Sequence, residues 1–431
     1  MFSARIFLTA GLLLSAVSVF AAAPRHAVVA KPVLPAVIEL SHRLDEVRAE
    51  RLEPLIELFN SQHKEVVVKL VRRVEGEAPK QLSLVTREEH ARFMNNKAKF
   101  RPLFEVMKEA KEPFDAGRLS PEVKESLVDG KGQLIALPVA FSTPVLYINK
   151  AAFRKAGMDP EVPPRTWLEM QEMAGKLVES GVRCPYTTSW PTWVFIDNMS
   201  AWSGADLSDA KGKLAFNGLA QVKHIAMMAS WHKAKYFHTF GSADEADRRF
   251  ALGECAMLTS SSSLFPSLAE NKTVDAGVSS LPYHDDVYGA PKNTLADGSS
   301  LWVASGLKSP ETKGVAKFIS YILGPEVQIK LTLAGGFLPI TPVARAAASS
   351  TLLKADLAGL QVAFSQLRGK HDPMLVRPAQ IEMVRNILNE ELEAVWANRK
   401  PAKEALDEAV RRGNALMRPV APVLTKAKRA S

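Results

Sequence analysis

Two spacings of apolar residues alternate along the chain. Ala36-Val37-Ile38-Glu39-Leu40 and Val66-Val67-Val68-Lys69-Leu70-Val71 are apolar runs of strand length. Between them Val47, Leu52, Leu55, Ile56 and Phe59 fall mostly on one face of a helix. That β-α-β order predicts a parallel sheet with helices on its faces. Further on, Asp129-Gly130 marks a turn and Gln133-Leu134-Ile135-Ala136-Leu137 reads as another strand. It leads into "FSTPVLYINK" (141–150), where Val145-Leu146-Tyr147-Ile148 has the look of a buried strand. Ser142-Thr143-Pro144 at its head fits a plain turn, since proline presets φ and hydroxyls bond their own backbone. It could also be a chain crossing between lobes with the Ser142 hydroxyl aimed at a ligand, although the plain turn is the readier reading.

The next segment predicts its own punctuation. Ala151 to Ala156 is a short helix stopped by Gly157, and the prolines of "DPEVPP" forbid a helix. Thr166-Trp167-Leu168-Glu169 has the capping-box form, and the helix it opens carries Trp167, Met170, Ala174, Leu177 and Val178 as a core-facing stripe. On that stripe Met170 and Met173 are packing residues. Residues 309–323 form a second amphipathic helix with Val315, Phe318, Ile319 and Ile322 inward, and helices near 383–397 and 402–417 follow, parted by Lys400-Pro401.

With 431 residues and 47% hydrophobic residues the chain can fill two or three cores. Its start reads as an export signal: Arg5, an apolar stretch from Ile6 to Phe20, then Ala21-Ala22-Ala23 for cleavage. No later run has the length of a membrane span, so the mature protein is expected to be exported and soluble. The formal net charge of +9 raises nucleic acid as a partner, but the basic residues are spread out and only Lys426, Lys428 and Arg429 form a tail. We therefore expect no nucleic-acid partner, and a basic surface that steers a small anion. Cys184 and Cys255 could pair in an exported chain, which spacing alone does not decide. The nine histidines are scattered, so no metal site is expected.

Enzyme motifs are missing: no G-x-S-x-G, H-E-x-x-H, P-loop or G-x-G-x-x-G occurs. "TSSSS" (259–263) reads as turns and caps more readily than as a nucleophile, and "YHDD" (283–286) as a solvated loop more readily than as a metal site. Phosphate-binding chemistry is better supplied. A phosphate wants hydroxyls, free backbone N–H groups and a guanidinium fork. Ser142, Ser261 and Ser262, the "ADGSS" turn at 296–300 and arginines near the C-terminus offer all three, although each also reads as an ordinary turn or surface residue.

The blocks "STPVLYINKAAFRKAGMDPEVPPRTW", "VKHIAM", "GECAM", "GSSLWV", "GVAKF", "GFLPIT", "EELEAVW" and "ALDEAVRRGN" together, from about Val33 to Arg418, resemble the periplasmic solute-binding proteins of ABC importers. The resemblance implies an α/β fold: a two-lobed periplasmic-binding-protein clamp, each lobe a mostly parallel sheet flanked by helices. It implies three hinge crossings, near 139–145, 258–264 and 336–341. The organisation it suggests is a signal peptide at 1–23, an N-terminal lobe from 24–140 with 263–336, a C-terminal lobe from 141–262 with 337–420, and a basic tail at 421–431. It also implies a monomer, with no cofactor and no catalysis, that hands its ligand to permease membrane subunits and their ATPase. The implied ligand is glycerol 3-phosphate or a glycerophosphodiester, or, on the same scaffold, another phosphorylated polyol or a sugar. Carried over position by position, the phosphate contacts fall on Ser142, Ser261, Gly298 and Arg385, while Trp190 flanks the ligand. Two departures stand out. Phe337 replaces a tyrosine of the family's "GYLPIT", and the 72–94 stretch is shortened, leaving only Glu88 or Glu89 to stand in for an acid that meets glycerol hydroxyls.

Overall fold

The computed structural model describes residues 34–417 except 45, 75, 87–88, 90–92, 94–95, 125–126, 129–132, 355–356, 358 and 368–380. The export signal, the turn at Asp129-Gly130, Glu88 and the basic tail lie outside the described residues. Eleven strands run in chain order among the described residues. They are β1 Ala36–His42, β2 Val66–Arg72, β3 Leu82–Val85, β4 Phe100–Arg101, β5 Leu137–Ser142, β6 Pro144–Asn149, β7 Cys184–Thr188, β8 Phe237–His238, β9 Cys255–Ser261, β10 Ala276–Ser280 and β11 Asp297–Ala304.

The first sheet grows from the β-α-β unit. β1 and β2 pair in parallel from Ala36↔Val66 to His42↔Arg72, and helix Glu46–Gln62 joins them. Leu55, Ile56 and Phe59 on that helix are buried against Ile38, Leu40, Val66 and Val68 in one core. Asn60 then exchanges two hydrogen bonds with Val68, taking the backbone groups that β2 presents at the sheet edge. The full order is β2-β1-β3-β11-β4, with β5 also paired to β11.

The second sheet has the order β10-β6-β9-β7-β8. Its neighbours β7 and β9 align Cys184 with Cys255, and the two cysteines form a disulfide. The capping box forms as expected: Glu169 N–H donates to the Thr166 hydroxyl while the Glu169 carboxylate accepts from the Thr166 N–H. Helix Trp167–Glu179 buries Trp167, Met170, Ala174 and Leu177, but Val178 turns outward at 39% exposure. Helix Ser309–Ile322 buries Val315, Phe318, Ile319 and Ile322 as its pattern requires. The closing helices are Ile381–Trp396 and Ala402–Leu416.

Three expectations need correction. The sheets are mixed, not mostly parallel: β11 runs antiparallel to β3, β4 and β5, and β6 antiparallel to β9 and β10. The strand expected from Gln133 begins only at Leu137. Finally, β10 lies within 263–336 yet pairs with β6 of the second sheet, so after β9 the strands do not change sheets until between Ser280 and Asp297.

"YHDD" also departs from a solvated loop. Asp285 and Asp286 are exposed, but His284 is buried, with its Nε2 3.1 Å from His224 Nδ1.

Candidate functional site

The first change of sheet falls at Thr143, between β5 and β6. Three other stretches of chain converge there. Ser142 lies opposite Asp297 of β11, Pro144 opposite Ser261 of β9, and Leu338 N–H donates to the Phe141 carbonyl at 2.8 Å. Thr143 is fully buried: its hydroxyl donates to Thr294 Oγ1 at 2.6 Å and its carbonyl accepts from Ser262 N–H at 2.9 Å. Pro138 is tolerated because β5 bulges at Val139 against β11. The sequence put two hydroxyls and a proline here, and they serve a crossing built of backbone and side-chain hydrogen bonds.

The hydroxyls of β5 and β9 continue as a ladder. Ser261 Oγ donates to Ser142 Oγ at 2.7 Å, and Ser261 and Ser263 share a further hydrogen bond at 2.7 Å. Below them the Tyr147 hydroxyl donates to the Ser261 carbonyl. Burial, and after it the charge of Asp247, pushes the Tyr147 phenol well above its ordinary pKa, so it stays a neutral donor.

This ladder opens onto a cleft of about 390 Å³. Of the sequence-derived candidates, Ser142, Ser261, Gly298, Trp190 and Phe337 all line it. Gly298 is required by contact: a Cβ there would lie 2.0 Å from the Ala140 carbonyl oxygen. Trp190 holds φ at 54°, a left-handed conformation that costs a bulky residue roughly 1–3 kcal/mol. Its N–H donates to Ala243 O at 2.8 Å and its carbonyl accepts from Val194, so both neighbouring segments hold the strained turn. The cleft therefore presents an indole already in place.

Arg385 is not among the lining residues. It sits on helix Ile381–Trp396 with its Nη2 donating to Asp197 Oδ2 at 3.2 Å and to Asp297 Oδ2 at 2.9 Å. The other oxygen of Asp297 accepts from the Gly298 N–H at 2.8 Å. Two donors assigned to a phosphate thus meet one carboxylate of the chain itself. Glu89, a candidate for meeting hydroxyls, is buried and bonded instead to Arg73 at 2.8 Å and to the Thr86 N–H.

Sequence reading missed several groups. Ser263 lines the cleft where Ser262 does not, a distinction the serine run conceals. Asp247 lines it too, accepting from Ser189 Oγ at 2.6 Å, and nothing in the sequence around it signalled a site. Asp297 was in view within "ADGSS", but its partner stands 88 residues away.

Two α/β bodies meeting at a hydroxyl-lined cleft define a clamp-type binding protein. The chain belongs to the bacterial extracellular solute-binding proteins, whose family profile matches residues 56–358. Among its relatives, the sn-glycerol-3-phosphate-binding periplasmic protein UgpB of Pectobacterium atrosepticum is 35% identical over 404 residues, 88% of this chain and 90% of that one. The protein of the same name from Escherichia coli is 38% identical over 341 residues, 76% and 77% of the two chains. Of solved structures, UgpB from Mycobacterium tuberculosis in complex with glycerophosphocholine matches with a TM-score of 0.73 at 20% identity, over 89% of this chain and 98% of that one. Maltose-bound MalE3 of T. maritima matches with a TM-score of 0.71 at 18% identity, over 88% and 100%. At such identities these structures speak for the fold.

Proposed function

We propose that this chain is the solute-capturing component of an ABC importer. It binds sn-glycerol 3-phosphate or a glycerophosphodiester in the cleft and delivers it to a membrane permease and its ATPase. The observation that carries this reading is the hydrogen-bonded ladder Ser142–Ser261–Ser263 on the cleft wall, in a chain so similar to proteins named for glycerol 3-phosphate. In this reading the serines bond phosphate oxygens, Gly298 offers its N–H, Arg385 its guanidinium, and Trp190 and Phe337 flank the polyol. The protein works as an exported periplasmic monomer, with lobes joined at the crossings and no catalytic step. Ligand touching both lobes stabilises the closed form because only that form contacts it from two sides.

A second reading, a neutral sugar or polyol, draws on one observation: among the described residues that line the cleft, Asp247 is the only ionisable side chain. Calorimetric titration of ligand-stripped protein with sn-glycerol 3-phosphate, glycerophosphocholine, glycerol and maltose separates the two. Saturable heat with a phosphate compound and none with glycerol is the expected result. Heat with maltose alone would favour the second reading. Release of choline or glycerol 3-phosphate from glycerophosphocholine would contradict a pure binder.

A further inference from the structure

We propose that Asp297 sets the charge of the ligand, selecting a phosphodiester over a phosphomonoester; this rests on the phosphate-ligand reading above. An anion entering beside Ser142 would find a backbone N–H and a guanidinium, the pair of donors that anions favour. Both are already bonded to Asp297, one to each carboxylate oxygen. Asp297 is buried, lies directly opposite Ser142 in the β5–β11 pairing and precedes Gly298 of the lining, so its carboxylate stands just behind the residues that face the cleft. Arg385 has Asp197 as a second acid, so two carboxylates surround one guanidinium. Asp247 adds a third carboxylate on the lining itself.

A ligand phosphate must therefore share or displace a carboxylate while approaching others, and that repulsion grows with its charge. A phosphomonoester carries about −1.5 to −2 at neutral pH. A phosphodiester carries a single negative charge and keeps two unesterified oxygens for the serines and Gly298. The wall is thus built to tolerate one charge and to penalise a second.

The test is calorimetry of the ligand-stripped wild type, Asp297→Asn and Asp197→Asn with sn-glycerol 3-phosphate and with its methyl diester, which differ in charge and one methyl group. Asparagine keeps the shape and an acceptor for the Gly298 N–H while removing charge, and thermal unfolding of each variant verifies its fold. The wild type is expected to bind the diester at least roughly tenfold tighter. Asp297→Asn should shrink that ratio to about threefold or less by gaining monoester affinity, and Asp197→Asn should do so to a smaller extent. A wild type that binds the monoester as tightly as the diester, or an Asp297→Asn ratio unchanged from wild type, would overturn the proposal while leaving the phosphate reading intact. If the wild type binds neither compound, the phosphate reading fails. The role of Asp297, which rests on that reading, then falls with it.

Discussion

Arg73 and Arg385 are each about 12% exposed and each held by acid, but their acids come from different parts of the molecule. Arg73 bonds Glu89, sixteen residues on, together with the carbonyls of Ser41 and Leu84, and lies over the Phe93 ring. Those partners all belong to the first sheet and the segment beside it. Arg385 rides a helix whose Val384, Leu388 and Leu392 pack in the second core, and there it takes Asp197. Its other acid, Asp297, begins β11 of the first sheet. One arginine seals a loop within a body, whereas the other spans the crossing between bodies beside the cleft. On the proposed function Arg385 exchanges a carboxylate for the ligand, whereas Arg73 keeps its partners.

Breaking the sealed pair should have the largest effect on stability. Arg73→Ala takes from the buried Glu89 carboxylate its nearer cation and leaves Arg43 at 3.5 Å, and we expect a loss of about 3 kcal/mol in urea unfolding. Ligand affinity of the folded fraction should be unchanged. Arg385→Ala should cost less, about 1–3 kcal/mol, because Asp297 keeps the Gly298 N–H and both acids, at 17% and 10% side-chain exposure, are less buried than Glu89 at 7%. Equal losses in the two variants would erase the distinction between them.

The buried histidines sharpen the contrast, because no carboxylate bonds either ring to favour its charge. Burial first, then the charge of Lys223, lowers His284 to about 4 against opposing effects of Asp285 and Asp286. Burial, then His284 itself, takes His224 well below its ordinary value. Their folded pKa values lie below the unfolded one, so the unfolded chain binds more protons between pH 6.5 and about 4. Stability should be complete above pH 6.5 and fall as pH drops through that window. Thermal melts of His284→Asn should show a flatter pH dependence than the wild type. The smallest effect expected is at Phe337, where Phe337→Tyr adds a hydroxyl to the cleft lining. It should tighten binding by roughly 1 kcal/mol, about fivefold in Kd.

Much of this fold was legible wherever order is local. The β1–helix–β2 unit, the Thr166/Glu169 capping box and the inward stripe of helix 309–322 rest on spacings of a few residues. Legibility failed where partners are distant. β3 is four residues in a charged stretch and exists because β1 and β11 pair on either side of it. β10 joined the second sheet because β6 offered it a partner, a fact of register absent from its own sequence. Val178 shows a limit of periodicity: the stripe of Trp167, Met170, Ala174 and Leu177 is already complete, and the next apolar residue turns to solvent. Within the site, the family resemblance led to five of the lining residues, of which residue types alone had offered the serines and the glycine turn, while the pairing of Asp297 with Arg385 needed the fold.

The most direct test of the contrast between the two arginines is glycerophosphocholine titration of wild type, Arg73→Ala and Arg385→Ala under conditions where all three are folded. The account predicts wild-type affinity for Arg73→Ala and a loss of at least roughly tenfold for Arg385→Ala. Undiminished binding by Arg385→Ala would contradict it, and would make that arginine a structural tie like Arg73.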